Sequence, residues 1–419
     1  MNRQEPDYLS AYYFGFPIFE FMRTGWIAAA QTERRPQHRF NQVTHRRGLT
    51  NHNNRGITAP NNDTVYSSCR LDLSNGPVLM DIPTIRDRYF SVAFMNAYTD
   101  NFAHIGTRAT SGEGGHTLIV GPDWQDNPPE GARLIRSETA DVWMVARILV
   151  DGEEDIPAAN ALQDQLRVLD APPPSQLDIA PGDGPDLENF LAVVNATLAR
   201  ASLRDPVGAQ ARQFSAAGVN PGAIDAWGSL AEGQRAAWRT AADQATTVMR
   251  QGFALRGEYV AGWRYPPHGI GEASASFQVR AAVALSGLAA LDAKEATYGR
   301  AQEDTSGAAL DGANAYELVV PNNVPASAFW SVSMYQLEAD GRLFFVDNPI
   351  HRYAVGDRSS GIARNTDGSI SIRMQRGAPR DSGNWLPTPQ GPFALIFRAY
   401  LPQEPWLSGA WRLPAVRRL

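Results

Sequence analysis

The sequence predicts a mainly β protein in which two strand-rich lobes flank an α-helical middle region. Three observations predict it. Short apolar or alternating runs, punctuated by Gly, Pro, Asn and Asp, fill both ends of the chain, while Ala-rich stretches with helical apolar spacing fill the centre. The two ends share a polar and aromatic pattern in the same order. Finally, 29 prolines and 36 glycines in 419 residues supply the many turns that short strands need.

Residues 1–150 form the first region. MNRQEPDYLSAYYFGFPIFEFM holds a short aromatic helix candidate. Pro17 and Glu20 interrupt it, and it lacks the basic start and clean apolar stretch of a secretory leader. CRLDLS, GPVLMDIP, RYFSVAFMNAY, HTLIVGP and VWMVARILV follow as strands. Residues 151–303 change character: PAANALQDQLRVL, LENFLAVVNATLARASL, EGQRAAWRTAADQATTVMRQGF and ASFQVRAAVALSGLAALDAKEATYGRA read as helices. In residues 304–419 the strands return, as YELVVP, AFWSVSMYQLE, GRLFFVD, SISIRMQ and PFALIFRAYLP.

The strand regions correspond to each other. RYFSVAFMNAY aligns with AFWSVSMYQLE, and DNFAHIGTR, from Asp100, is answered by DNPIHRYAVGDR, from Asp347. Nine positions separate Ser91 from Asp100 and sixteen separate Ser331 from Asp347, the extra seven containing the turn EADGR. An ordered match with an insertion at a turn is what duplication of a β unit leaves behind.

These residues resemble a bacterial two-domain family of unknown function. PNNDTVYSSCRLDLSNGPV, DRYFSVAFMNAYTDNFAHIGTR and LIVGPDW resemble its N-terminal member, numbered 1254. DGANAYELVVP, FWSVSMY, VDNPIHRYAVGDR, NTDGSISI and NWLPTPQGPFALIFRAY resemble its C-terminal member, numbered 1214. The resemblance implies a double jelly roll, two β-sandwich lobes similar to those of large-DNA-virus capsid proteins. It implies no reaction and carries over no catalytic residues.

Composition removes several function classes. A net charge of −6 disfavours nucleic acid as a partner, and no apolar run is long enough to span a membrane, so the expectation is a cytoplasmic protein. Cys69 is the only cysteine, which excludes an internal disulfide and a cysteine-rich zinc site. Lys294, the only lysine, reads as exposed on a helix and is a poor Schiff-base candidate. Phosphate-loop and nucleophile-elbow motifs are absent.

PNNDTVYS is the densest polar cluster. Asp63 and Tyr66 suit an acid/base pair, with Asn61 and Asn62 orienting a carbonyl or hydroxyl. The structural alternative is an Asx turn that starts a strand, with Tyr66 packing in the core. In the paired segments, Asp100 and Asp347 are placed to orient His104 and His351, His351 being the stronger acid/base candidate. Arg352 and Arg358 then supply anion-holding charge. A duplicated turn inherited twice is the competing explanation.

His38, His45 and His52 recur every seven residues, but Pro36 and Gly48 argue against one helix through them, and no HxH or HExxH occurs. No cofactor is therefore expected, and a divalent metal would need ligands from distant segments. Six arginines without an acid between Arg34 and Arg55 read as a solvated face or an anion or subunit contact. The functional expectation is a homo-oligomeric enzyme performing hydrolysis, elimination or isomerisation on a small molecule. The alternatives are a non-catalytic assembly or ligand-binding protein, and a metal-dependent lyase or oxygenase.

Overall fold

The computed structural model describes residues 6–30, 40–56, 58–175, 179–182, 186–202, 206–252, 255, 257–272, 274–339, 341–380 and 383–419. Strands β1 (Thr44–Arg46), β2 (Thr64–Asp72), β3 (Val78–Ile82), β4 (Phe90–Asn96), β5 (Asn101–Gly106), β6 (Gly115–Val120), β7 (Arg133–Arg136), β8 (Asp141–Leu149) and β9 (Arg167–Asp170) build the N-terminal sandwich. Its sheets run β1-β2-β8-β4-β5 and β7-β6-β3-β9. Between them Val65, Cys69 and Leu71 of β2 pack with Met80 of β3, Phe94 of β4, Ile119 of β6 and Met144 of β8. Cys69 is thus core, and burial pushes its thiol pKa up, away from nucleophilic use.

The C-terminal sandwich uses β10 (Tyr259–Val260), β11 (Trp263–Arg264), β12 (Ala296–Ala301), β13 (Tyr316–Val320), β14 (Ala326–Leu337), β15 (Leu343–Phe344), β16 (Ala354–Gly356), β17 (Ile370–Gln375), β18 (Trp385–Pro387), β19 (Phe393–Pro402) and β20 (Arg417–Arg418). One sheet runs β10-β11-β12-β19-β14-β15, with β16 also on β14, and the other runs β18-β17-β13-β20. In each lobe a late strand lies between two earlier ones, β8 between β2 and β4, and β19 between β12 and β14. That insertion closes a jelly roll. The protein is mainly β, with two jelly-roll lobes and a helical region between them in sequence.

The helical layer has its own core. Helix Tyr8–Ala30 packs against helices Leu187–Leu198, Glu232–Arg250 and Phe277–Gly287. It is far longer than the aromatic candidate its sequence suggests, and Pro17 lies inside it. An internal proline costs roughly 3 kcal/mol. Tyr12, Tyr13, Phe14, Phe16, Ile18, Phe19 and Phe21 are all buried, and at roughly 1.5–3 kcal/mol for each large side chain their burial outweighs that cost.

Two stretches with helical composition end as strands. QLRVL gives β9, paired with β3, and AKEATYGRA gives β12, paired with β19. Pairing with strands remote in sequence overrode local propensity in both segments. Lys294 is exposed as expected, in a turn rather than a helix. Among the described residues no helix is long and apolar enough to cross a membrane.

The duplication is visible in strand register. In the N-terminal lobe Tyr66, Arg147, Ser91 and Gly106 lie opposite one another across β2, β8, β4 and β5. In the C-terminal lobe Tyr298, Arg398, Ser331 and Gly356 do the same across β12, β19, β14 and β16. Loop contacts repeat as well. The Val150 amide donates to the Asp63 carbonyl as the Leu401 amide donates to that of Glu295. The Thr107 amide donates to the Phe90 carbonyl as the Asp357 amide donates to that of Trp330.

This register aligns the GTR of Gly106–Arg108 with the GDR of Gly356–Arg358. His104 lies two residues before its glycine and His351 five before its own, so the two histidines are not structural equivalents. His104 sits in β5, whereas His351 occupies a left-handed turn with φ 48°.

Candidate functional site

The sheets carrying these two rows meet at a seam between the lobes. Its apolar part is Tyr89, Ala93 and Leu149 against Leu291, Ala296, Phe329 and Tyr400. The Phe329 and Tyr400 rings stack with centroids 4.0 Å apart, and Tyr89 meets Tyr400 edge-on at 5.2 Å.

Asp63 lies beside this stack, just before β2. Its amide donates to Asn61 Oδ1 at 2.6 Å, the Asx turn expected of PNND, while Asn61 Nδ2 donates to the Tyr400 hydroxyl at 2.5 Å. Asp63 Oδ2 accepts from Ser331 Oγ at 2.8 Å and from the Tyr400 hydroxyl at 3.2 Å. An N-terminal carboxyl group is therefore held by hydroxyls of the C-terminal lobe. Arg398 donates through Nη1 to Ser333 Oγ at 2.9 Å and through Nη2 to the Ala59 carbonyl at 3.0 Å. The Tyr335 hydroxyl donates to the Pro60 carbonyl at 2.5 Å.

Burial raises the Asp63 pKa, and Arg398, Ser331 and Tyr400 offset this only in part. Burial works against the Arg398 charge, but Tyr335, Tyr400 and Asp63 around it more than compensate, and its pKa stays raised. Linkage gives a test. A carboxyl whose folded pKa is raised contributes stability that is complete below the unfolded value of about 3.9 and is lost as pH rises through the folded value. The stability of the wild type relative to Asp63→Asn should therefore decline as pH rises from about 4 to 8. Urea denaturation across that window checks it, and a flat difference removes the assignment.

The N-terminal half of the seam is built alike but bonded differently. Tyr66 is half-buried, with the Arg147 guanidinium carbon 5.3 Å from its ring centre. Arg147 Nη2 donates to the Ala289 carbonyl at 2.9 Å. Arg147 Nη1, Ser91 Oγ and Thr64 Oγ1 are buried and make no hydrogen bond among the described residues. Burial opposes the Arg147 charge, yet Tyr66, Tyr298 and Tyr89 keep its pKa raised. Burial also raises the Tyr298 pKa, while Arg147 and Arg398 both act to lower it. The C-terminal half thus has its donors satisfied, whereas in the N-terminal half Arg147 and Ser91 have Tyr66 and Tyr89 as polar neighbours but no close hydrogen bond at Nη1 and Oγ among the described residues.

His104 reaches the same seam. It faces Asp292, with Nε2 and Oδ1 3.4 Å apart, rather than Asp100. Asp100 is taken by a buried ion pair with Arg280, which leaves it no role in orienting His104. Glu295, the register mate of Asp63, accepts from the Tyr89 hydroxyl at 3.0 Å and from Arg108 Nε at 2.6 Å. Burial lowers the His104 pKa, against the opposite pull of Asp292 and Glu295, so the ring is neutral at neutral pH.

His351 and its neighbours lie elsewhere, on the surface. Asp347 Oδ1 is 3.6 Å from Nδ1 of both His351 and His52, and His52 Nδ1 is 2.6 Å from the Tyr353 hydroxyl. A shallow surface depression lies beside Asp347, Asn348, Arg352 and Tyr353. Arg352 donates to the Gly383 and Trp385 carbonyls at 3.0 Å each, and Arg358 pairs with Asp151. Asn62 donates to the Thr50 carbonyl at 2.5 Å. The structure therefore joins Asn61, Asp63 and Tyr66 at the seam and sets Asn62, Asp347, His351, Arg352 and Arg358 apart from them.

Of the arginine run, Arg34, Arg35 and Arg39, together with His38, lie outside the described residues. Arg47 pairs with Asp164 and Arg55 with Glu338. His45 Nδ1 lies 2.8 Å from Ser67 Oγ, and His52 bonds Tyr353, so neither faces the seam histidine.

Sequence reasoning missed Arg147, Arg398, Tyr298 and Glu295. The signal was present in VARILV and IFRAYL, each an apolar strand run with one arginine in it. A charge in a buried strand must find partners, so such an arginine marks an interior polar site.

The profile of the family described as Protein of unknown function (DUF1254) matches residues 40–170, and that of Protein of unknown function (DUF1214) matches residues 295–404. A search of the curated proteins found no match. Among solved structures, the VPA0106 protein from Vibrio parahaemolyticus is similar, with a TM-score of 0.78 at 23% identity over 99% of each chain. An uncharacterized protein from Burkholderia cenocepacia aligns over 96% of this chain and 87% of its own, with a TM-score of 0.45 at 14% identity. The Vibrio structure shows that the fold extends over the whole length of this chain.

Proposed function

The chain belongs to the two-domain family that joins DUF1254 to DUF1214, and from that premise we propose that it is an acid/base enzyme acting on a small carboxylate-bearing molecule at the seam between the two domains. The observation that carries the reading is a buried carboxyl with a raised pKa in one polar layer with a buried arginine and a serine hydroxyl. Burial raises the Asp63 pKa, and among the described residues Arg147 Nη1 and Ser91 Oγ make no close hydrogen bond, Tyr66 and Tyr89 being their neighbours.

In this reading Arg147 and Ser91 take the substrate carboxylate. Asp63 gives or accepts the proton, with Tyr400 and Ser331 fixing its orientation. Tyr66, across β2 and β8 from Arg147, positions the guanidinium. The reaction class is elimination or isomerisation next to the carboxylate, which needs proton transfer and charge stabilisation, or hydrolysis, in which a water molecule also attacks and the leaving group takes up a proton.

A second reading is a ligand-binding protein, favoured by the two hydroxyls that already satisfy Asp63 Oδ2. One experiment separates them. The purified full chain is incubated with a panel of small hydroxy, unsaturated and ester-bearing carboxylic acids in deuterated buffer and followed by proton NMR. The enzyme reading expects turnover or deuterium incorporation for at least one compound. Asp63→Asn should slow it by roughly 10²–10⁴-fold, and Arg147→Met should raise KM. Saturable binding without turnover supports the ligand-binding reading, and neither binding nor turnover overturns both.

A further inference from the structure

We propose that His104, Asp292 and Glu295 form a binding site for one divalent first-row transition-metal cation at the seam, independently of the acid/base reading. Their donor atoms all lie within 4.8 Å of one another. His104 comes from β5, while Asp292 and Glu295 come from the turn before β12.

The turn is rigid. The Glu295 amide donates to the Asp292 carbonyl at 2.9 Å, and Asn101 Nδ2, on the same strand as His104, donates to the Ala290 carbonyl at 2.8 Å. The strand and the turn are thus clamped together before any ligand arrives, as a preorganised site requires.

An independent observation points to a missing ligand. The His104 side chain is only 8% exposed, yet among the described residues neither ring nitrogen makes a hydrogen bond, and Asp292 Oδ1 makes none either. Unsatisfied buried groups of this kind cost roughly 1–3 kcal/mol each. Their separation of 3.4 Å is too long for a good N–H···O bond. It matches the spacing of about 3.4 Å between two ligands bound tetrahedrally at roughly 2.1 Å from one ion. A cation between them would satisfy both atoms at once.

Glu295 completes the set while the Tyr89 hydroxyl and Arg108 hold it in place. Arg108 and Arg147 weaken the negative field here, so binding must come from short coordinate bonds rather than long-range attraction. One imidazole and two carboxylates suit Zn²⁺ or Mn²⁺, whereas Ca²⁺ requires six to eight oxygens. The other grouping, His52, Asp347 and His351, is a weaker candidate. Two of its members are exposed, and His52 Nδ1 already contacts Tyr353.

The test uses untagged full-length protein stripped with chelator and titrated with Zn²⁺ and with Mn²⁺ by calorimetry, with bound metal counted by elemental analysis. One equivalent per chain is expected. His104→Ala and Asp292→Asn should each weaken binding at least tenfold, while His351→Ala should leave it unchanged. Cobalt substitution gives a second readout: the visible absorption of imidazole- and carboxylate-bound Co²⁺ should vanish in His104→Ala. Binding of less than a tenth of an equivalent by the wild type would overturn the proposal. Undiminished binding by either seam variant, or loss of binding in His351→Ala alone, would also overturn it.

Discussion

Replacing Arg200 with Met should lower the unfolding free energy by roughly 3–5 kcal/mol, the range for breaking a buried ion network by removing one side. Arg200 follows helix Leu187–Leu198 and reaches into the N-terminal lobe. Its Nε donates to Asp141 Oδ2 at 2.8 Å and its Nη2 to Asp72 Oδ1 at 2.8 Å. Asp72 and Asp141 stand directly opposite each other on β2 and β8, with side chains only 1% and 4% exposed. Without the guanidinium, two buried carboxylates would face each other with the Arg70 charge left to offset Asp141. Burial raises the Asp141 pKa against the pull of Arg200, and Asp72 adds to the rise, so removing Arg200 should raise it further. The loss of stability should therefore be largest at neutral pH and shrink as pH falls toward about 4, because Asp141 takes up its proton above the ordinary carboxylate value. Urea denaturation at both pH values checks this, and a change under about 1 kcal/mol at neutral pH would rule it out.

Gly106→Ala and Gly356→Ala should each cost about 3 kcal/mol or more, at the upper end for overpacking, because the obstacle is backbone. A Cβ at Gly106 would lie 2.3 Å from the Phe90 carbonyl oxygen, and one at Gly356 would lie 2.3 Å from that of Trp330. Gly106 also has a φ of +150°, which an L side chain rarely adopts, so its variant should be the worse of the two. Gly233, in the first turn of helix Glu232–Arg250, supplies the contrast. Nothing lies within 4 Å of its added Cβ, so Gly233→Ala should stabilise by roughly 0.5–1 kcal/mol. Thermal and urea unfolding of the three variants tests the ordering. Equal tolerance at Gly106 and Gly233 would show that the repeated close approach of strands is not a constraint.

Much of the architecture was legible because it rests on local pattern. Alternating runs such as RYFSVAFMNAY and AFWSVSMYQLE became β4 and β14, and the repeat they form reappears as matched register. Where the reading failed, a distant partner decided. QLRVL and AKEATYGRA carry helical composition, yet each lies along a strand remote in sequence. Pro17 argued for a short helix, and the burial of its aromatic neighbours overrode it.

The site was legible in half. PNNDTVYS supplied Asn61, Asp63 and Tyr66 because loop-borne polar groups stand out in sequence. Ser331, Arg398 and Tyr400, which surround Asp63, sit in strands more than 260 positions away, and no local spacing records that approach. The DN-x-x-H repeat misled for the same reason. Asp100 was claimed by Arg280, a helix residue 180 positions away, while His104 found Asp292.

The matched rows also say something about ancestry. Two copies of one sandwich meeting through equivalent strands reproduce the contact that a symmetric pair of single-lobe subunits would make. In such a pair every mutation appears on both sides, so both halves of the interface must stay alike. Joining the copies in one polypeptide lifted that restriction. Position 63 is an aspartate bonded to hydroxyls, while its mate at 295 is a glutamate beside a histidine. Within one polypeptide the two halves of this repeated surface are free to share a shape and differ in chemistry.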